Sequence, residues 1–243
     1  MAEPDQMVSA PRGVRPIRWG MGDAVAGWLL SQVGGAVTFS LAMALSGSRD
    51  PDDLSLGWVA AGQLGLWLGF LGVPWLASRT KGNGIVRDFG LRGERRDVVV
   101  GSVVGVLSQL VLLPLLYLPL LQLLDRDAGD VEQVARNLTD RATDPIGVVL
   151  LVLIVGLGAP VAEEVFYRGL VFRSLEKRFG TWPGIVVSGV VFGASHLEWL
   201  TLPGLALFGG ILAYLTHRTQ RLAPAVAAHV AFNMVTVVVL VTS

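Results

Sequence analysis

The sequence predicts an all-α protein, a polytopic membrane bundle of about seven transmembrane helices. Three observations predict it. Of 243 residues, 52% are hydrophobic and 16% charged, with a mean hydropathy of +0.59. Seven apolar spans can be marked, roughly 24–45, 57–78, 98–124, 146–167, 183–199, 203–216 and 223–242. Runs of about 18 or more apolar residues are long enough to cross a bilayer. Finally, lysine and arginine sort unequally between alternate connections, as they do in membrane proteins.

The elements follow in order. A polar tail, 1–22, leads into the first span and reads as cytoplasmic rather than as a cleaved signal. Asp23 sits at a helix start, where a carboxylate meets free backbone N–H groups. The third span holds Pro114 and Pro119, so a kink is expected there. The connection 125–145 is acidic and long enough for a short surface helix; its "NLT" tripeptide reads as chance. The fifth and sixth spans are short for a crossing. "GLWLG" (65–69), "GSVVG" (101–105) and "GVVFG" (189–193) place small residues four apart, which reads as close helix packing within the chain. The chain divides into 1–22, the helices and loops of 23–144, and a core of 145–243.

Charge sets the orientation. Of 19 Lys and Arg, 15 fall in the tail (Arg12, Arg15, Arg18), in 78–97, in the segment after the fourth span and in the loop of Arg218 and Arg221. The other connections hold four: Arg49, Arg126, Arg136 and Arg141. The basic side is expected to be cytoplasmic, with the N-terminus inside, the C-terminus outside and the plasma membrane as the location. A net charge of +0 gives no argument for nucleic acid. There are no cysteines, so there is no disulfide and no thiolate ligand or nucleophile.

Ionisable groups inside apolar spans are costly and mark candidate sites. "AEEVFYRGL" (162–170) carries Glu163 and Glu164, and Arg168 stands four residues after Glu164 on the same helix face. Glu163 has no basic residue at that spacing. A carboxylate kept from water beside no local counter-charge suits general acid–base work. "FGASH" places His196 one turn from Phe192, and "HVAFN" places His229 and Asn233 four apart. Two histidines, two glutamates and an asparagine in three apolar segments favour chemistry over packing. His217, in "LTHRTQR", is expected to be solvated.

Those three stretches, "EEVFYRG", "FGASH" and "HVAFN", resemble the CPBP (CAAX-protease and bacteriocin-processing, or Abi) family of intramembrane peptidases, over roughly 145–240. The resemblance implies that Glu163 activates the attacking water, supported by Glu164 and Arg168. It implies that His196 polarises that water, and that His229 and Asn233 stabilise the oxyanion. It implies a membrane-embedded or lipidated protein or peptide as substrate, with the bilayer as surroundings. Two forms stay open: a zinc or other divalent site on Glu163, His196 and His229, or a glutamate-type peptidase without metal. A non-catalytic scaffold or bacteriocin-immunity protein that binds peptides is the alternative class. A serine protease reading, on Ser195, leaves Glu163 and Asn233 without roles, and no Gly-x-Ser-x-Gly or HExxH motif occurs.

Helix arithmetic poses a difficulty. At about 1.5 Å per residue, Glu163 lies about 27 Å from Pro145, His196 about 20 Å from Pro183 and His229 about 9 Å from Ala223. The three converge if one helix runs from about 146 to 178, with the site in a cavity opening to the cytoplasm.

Overall fold

The computed structural model describes residues 15–242, the side chain of Val134 excepted, so Arg12 and most of the tail lie outside the described residues. These residues form nine helices and no strand. They are α1 (Met21–Ser46), α2 (Leu56–Lys81), α3 (Ile85–Asp88), α4 (Arg95–Leu124), α5 (Ala128–Thr139), α6 (Pro145–Phe179), α7 (Thr181–Ala194), α8 (Leu202–Thr219) and α9 (Ala223–Thr242). A polytopic helical bundle is therefore what the chain builds.

Five helices, not seven, are long and apolar enough to cross a membrane: α1, α2, α4, α6 and α9. The shortfall has local causes. α7 is apolar but stops at Ala194, because Leu197 adopts a left-handed conformation (φ 59°) that ends the helix. α8 ends on a polar turn with His217 and Arg218. The surface helix expected between 125 and 145 is α5, started by Asp127 accepting from the Asp130 N–H.

Caps fix several starts. Asp23 Oδ2 accepts from Gly20 N–H, and its other oxygen pairs with Lys81 at 2.7 Å. Asp144 accepts from Gly147 N–H at the start of α6. In α4 the helix widens into a π-type turn at Ser108–Leu112, just before Pro114. Proline offers no N–H to the preceding turn, so the ladder must readjust there.

The small-residue motifs pack within the chain. Gly65 and Gly69 lie against Gly34 and Ser31 of α1; Gly101 and Gly105 lie against Pro224 and Ala228 of α9; Gly189 and Gly193 lie against Ala206 of α8. The three motifs thus mark the α1–α2, α4–α9 and α7–α8 contacts.

At the centre is α6. All nine residues of Glu164–Phe172, again π-type, are buried. A helix buried all round belongs to the core. Phe70 of α2 stacks on Phe166 with ring centroids 4.6 Å apart, and Tyr167 meets Phe70 and Phe192 edge-on.

The connections gather at two ends. At one, Arg18 N–H donates to the Lys81 carbonyl, Lys177 to the Ile17 carbonyl and Arg173 to the Gln220 carbonyl. Arg221 there grips Asp97 through two hydrogen bonds of 2.7 and 2.8 Å, which raise the pKa of its guanidinium. At the other end Arg141 donates to the carbonyls of Pro51 and Leu54, and Tyr117 to that of Leu200. The basic and acidic connections separate as charge predicted.

A carbon added at Gly105 would collide with the Ala228 carbonyl and come within 3.0 Å of its Cα. Gly105→Leu is expected to destabilise the protein by about 1–3 kcal/mol, measured as thermal unfolding in detergent micelles. Gly57→Leu, where the added carbon meets only the Ser55 hydroxyl at 3.9 Å, should change little.

Candidate active site

The site is built by a helical hairpin. α6 continues through Phe179, and the chain reverses at Gly180, whose φ of 87° is left-handed and suits glycine. Arg168 and Phe192 are each twelve residues from Gly180, and Glu164 and His196 each sixteen. In an antiparallel pair, equal count means equal depth. The arginine bears this out: its guanidinium lies 4.3 Å over the Phe192 ring. The long helix expected over about 146–178 is thus found as Pro145–Phe179, and it brings Glu164 and His196 to equal depth.

The two acids part as their spacing suggested. Glu164 is fully buried and accepts from Arg168 Nη1 at 2.9 Å across one turn. The other guanidinium nitrogen, Nη2, donates to the Gly209 carbonyl of α8 at 3.0 Å. Glu163 stays partly accessible, with 15% of its side chain exposed.

His229, on α9, joins both acids. Its Nδ1 lies 2.8 Å from Glu164 Oε1. A carboxylate already paired with arginine accepts, so Nδ1 carries the proton. That turns Nε2 to Glu163, 3.9 Å from its Oε2. Phe192 and Phe208 stand edge-on to the imidazole at 5.5 and 5.7 Å and wall it in.

His196 sits at the end of α7, edge-on to Phe192 at 5.0 Å. Its Nδ1 is 2.9 Å from the Phe192 carbonyl, which can only accept, so Nε2 is left as the open nitrogen. His196 lines a cavity of about 250 Å³ with Tyr117, Glu198, Thr201, Phe232 and Thr236. Glu198 and Thr201 belong to the acidic end. This cavity therefore reaches His196 from the end opposite the basic loops.

Asn233 is placed differently from expectation. Its Nδ2 donates to the Val155 carbonyl at 2.8 Å. Val155 lies in a second π-type stretch, Val152–Gly158, where the widened ladder frees carbonyls. His217 is not simply solvated; its Nδ1 lies 2.5 Å from Glu176 Oε1.

The zinc or other divalent site weighed for Glu163, His196 and His229 would need three converging ligands. Among the described residues no three His, Asp or Glu side chains are grouped to hold a metal. Each histidine engages Nδ1, His229 with Glu164 and His196 with the Phe192 carbonyl, and keeps Nε2 for a ligand or a water.

Gly209 is a member of the site that reading by motif missed. A carbon there would meet Arg168 Nη2 at 3.1 Å and Phe192 Cδ1 at 3.0 Å, so glycine is what lets the carbonyl reach the guanidinium. The adjacent glycines of "FGG" are the trace it leaves in sequence.

Breaking a buried pair from one side strands the other charge, at a cost of about 3–5 kcal/mol. Glu164→Gln and Arg168→Met should each lower stability by about that much. The double variant should lose clearly less than the two added together. Unfolding in micelles of the four proteins measures the coupling.

Residues 145–235 match the family described as "Type II CAAX prenyl endopeptidase Rce1-like". Over 91 residues the chain is 26% identical to a Bacillus subtilis (strain 168) protein named "Putative membrane peptidase YdiL". That alignment covers 37% of this chain and 37% of the relative, so the chain spans well under two thirds of the relative's length. No solved structure matches the chain.

Proposed function

From the match of residues 145–235 to the Rce1-like family and the likeness to the "Putative membrane peptidase" of Bacillus subtilis, we propose that the protein is an intramembrane endopeptidase of the CPBP family. It hydrolyses peptide bonds of membrane-embedded or lipidated proteins or peptides, with Glu163 as the base. The observation that carries this reading is His229 bridging the two acids, Nδ1 at 2.8 Å from Glu164 and Nε2 at 3.9 Å from Glu163.

The step proceeds as follows. A water beside Glu163 gives its proton to that carboxylate as its oxygen bonds to the scissile carbonyl carbon. The carbonyl electron pair moves onto oxygen, and the protonated His229 Nε2 donates to the oxyanion. On collapse the C–N bond breaks, and Glu163 passes its proton to the departing amine.

Glu164 and Arg168 are positioning residues in this reading, since they hold His229 and lie beneath it. His196 lines the cavity of Tyr117 and Thr236 with Nε2 open, and in this reading it meets the substrate there. Asn233 holds the Val152–Gly158 turn through Val155, so the oxyanion role falls on His229. No step here passes through a metal, and the reading is that of a glutamate-type peptidase.

Comparative terminal-peptide proteomics tests this on membranes carrying the native protein or Glu163→Gln. New termini should appear with the native protein and fall by about 10²–10⁴-fold with the variant, while expression and unfolding temperature stay the same. Absence of any difference would overturn the peptidase reading and bring forward a scaffold or immunity protein that binds without cutting.

The protein is integral to the membrane, and we place its basic end in the cytoplasm, with the plasma membrane as the location. The chain has no cysteine, so single cysteines report topology directly. Thr80→Cys, at the basic end, should resist a membrane-impermeant maleimide added to intact cells, and Ser48→Cys, at the opposite end, should react. The reverse pattern would invert the orientation.

A further inference from the structure

At the basic end, three arginines that form no ion pair with a carboxylate among the described residues line one cavity. Arg15, Arg79 and Arg87 line a space of about 310 Å³ floored by Gly82, Asn83 and Gly84. The carboxylates nearby are engaged elsewhere. Asp23 pairs with Lys81 at 2.7 Å, and Asp88 accepts from the Trp19 indole at 3.0 Å and from the Asn83 backbone. Arg15 is held in place, since its N–H donates to Asn83 Oδ1 at 2.7 Å and its carbonyl accepts from Asn83 Nδ2 at 3.0 Å. Three like charges kept together and unneutralised call for an anion.

An apolar groove of about 460 Å³ lies along α2, lined by Leu64, Trp67, Leu68, Leu71, Gly72, Trp75 and Ile85. Its lining residues neighbour those of the basic cavity. Ile85 follows Gly84, and the Arg79 guanidinium stands 5.3 Å from the Trp75 ring centroid. Leu64, Leu68 and Trp75 are exposed. An indole at the level where charge gives way to hydrocarbon is the usual arrangement at a membrane surface.

We propose that this is a binding site for one anionic phospholipid. Its phosphate lies between Arg15, Arg79 and Arg87, and one acyl chain lies in the groove beneath. Guanidinium forks match phosphate oxygens in geometry as well as charge, and basic residues beside a membrane span favour anionic headgroups. The groove alone would accept any lipid; the three arginines at its mouth select the charge. Glu163 lines neither space, and the proposal does not rest on the peptidase reading.

Native mass spectrometry of the full chain in detergent tests it, with phosphatidylglycerol and phosphatidylcholine of identical acyl chains as probes. The native protein should retain one phosphatidylglycerol at least about 10-fold more tightly than phosphatidylcholine. Arg15→Gln/Arg79→Gln/Arg87→Gln should remove that preference, with Arg79→Gln alone as the readout if the triple variant unfolds. Gly72→Leu fills the groove where an added carbon meets no atom within 4 Å, so it should weaken both lipids without harming the fold. Equal retention of the two lipids by the native protein overturns the proposal, as does unchanged selectivity in the arginine variants. It is also overturned if Gly72→Leu leaves phosphatidylglycerol binding intact, or if inorganic phosphate binds as tightly as the lipid, which would make it a site for a bare anion.

Discussion

The buried pair of Glu164 and Arg168 is the interaction on which the rest of the site depends. Both side chains are fully buried, and removing two such charges from water costs several kcal/mol each. The structure answers with groups drawn from four helices. α6 supplies the pair, α7 lays Phe192 beneath the guanidinium, α8 offers the Gly209 carbonyl and α9 brings His229 to the carboxylate. The satisfaction is incomplete, because Glu164 Oε2 and Arg168 Nε have no hydrogen-bond partner. An apolar pair of similar volume would serve stability as well or better. What an apolar pair would not do is hold the Nδ1–H of His229 and so turn its Nε2 towards Glu163.

Glycine decides how closely these helices meet. At Gly209 the absent side chain lets a backbone carbonyl reach the arginine. At Gly180 the left-handed turn sets the register between α6 and α7, and with it the depth of His196 relative to Glu164. Among membrane helices, water expulsion supplies little drive for association, and close backbone contact takes its place. Electrostatics and packing are therefore linked here. The charges can be buried together because small residues let four helices converge around them.

Relations within one helix were legible in the sequence, and relations between helices were much less so. The Glu164–Arg168 pair follows from a spacing of four, the small-residue motifs mark real contacts, and the sorting of arginines separates the two ends. His229 and Glu164 lie 65 residues apart, and their pairing depends on how α9 crosses α6. The link from Asn233 to the Val155 carbonyl depends on a π-type turn, which an assumption of regular helix conceals. The same spacing that put His229 and Asn233 on one face could not say that they would turn to different partners. The count of seven spans overreached for a related reason, since hydropathy ignored the left-handed Leu197 and the polar last turn of α8.

The stretch before residue 145 lies outside the family match, yet it forms the wall behind the site. Phe70 stacks on Phe166, the residue two beyond Glu164. Gly27 of α1 faces the same ring, and the Trp67 indole lies against Gly158. Trp19, Phe70 and Phe89 share one apolar cluster with Phe166, Tyr167, Phe192 and Leu222. On the other flank, α4 packs its glycines against the first turns of α9, and Asp97 holds Arg221 just before that helix begins. The position of His229, six residues into α9, is thus set partly by α4. A segment outside the family match fixes the geometry of the one that carries Glu163, Glu164, His196 and His229, which makes the two stretches parts of a single core rather than a module and an appendage.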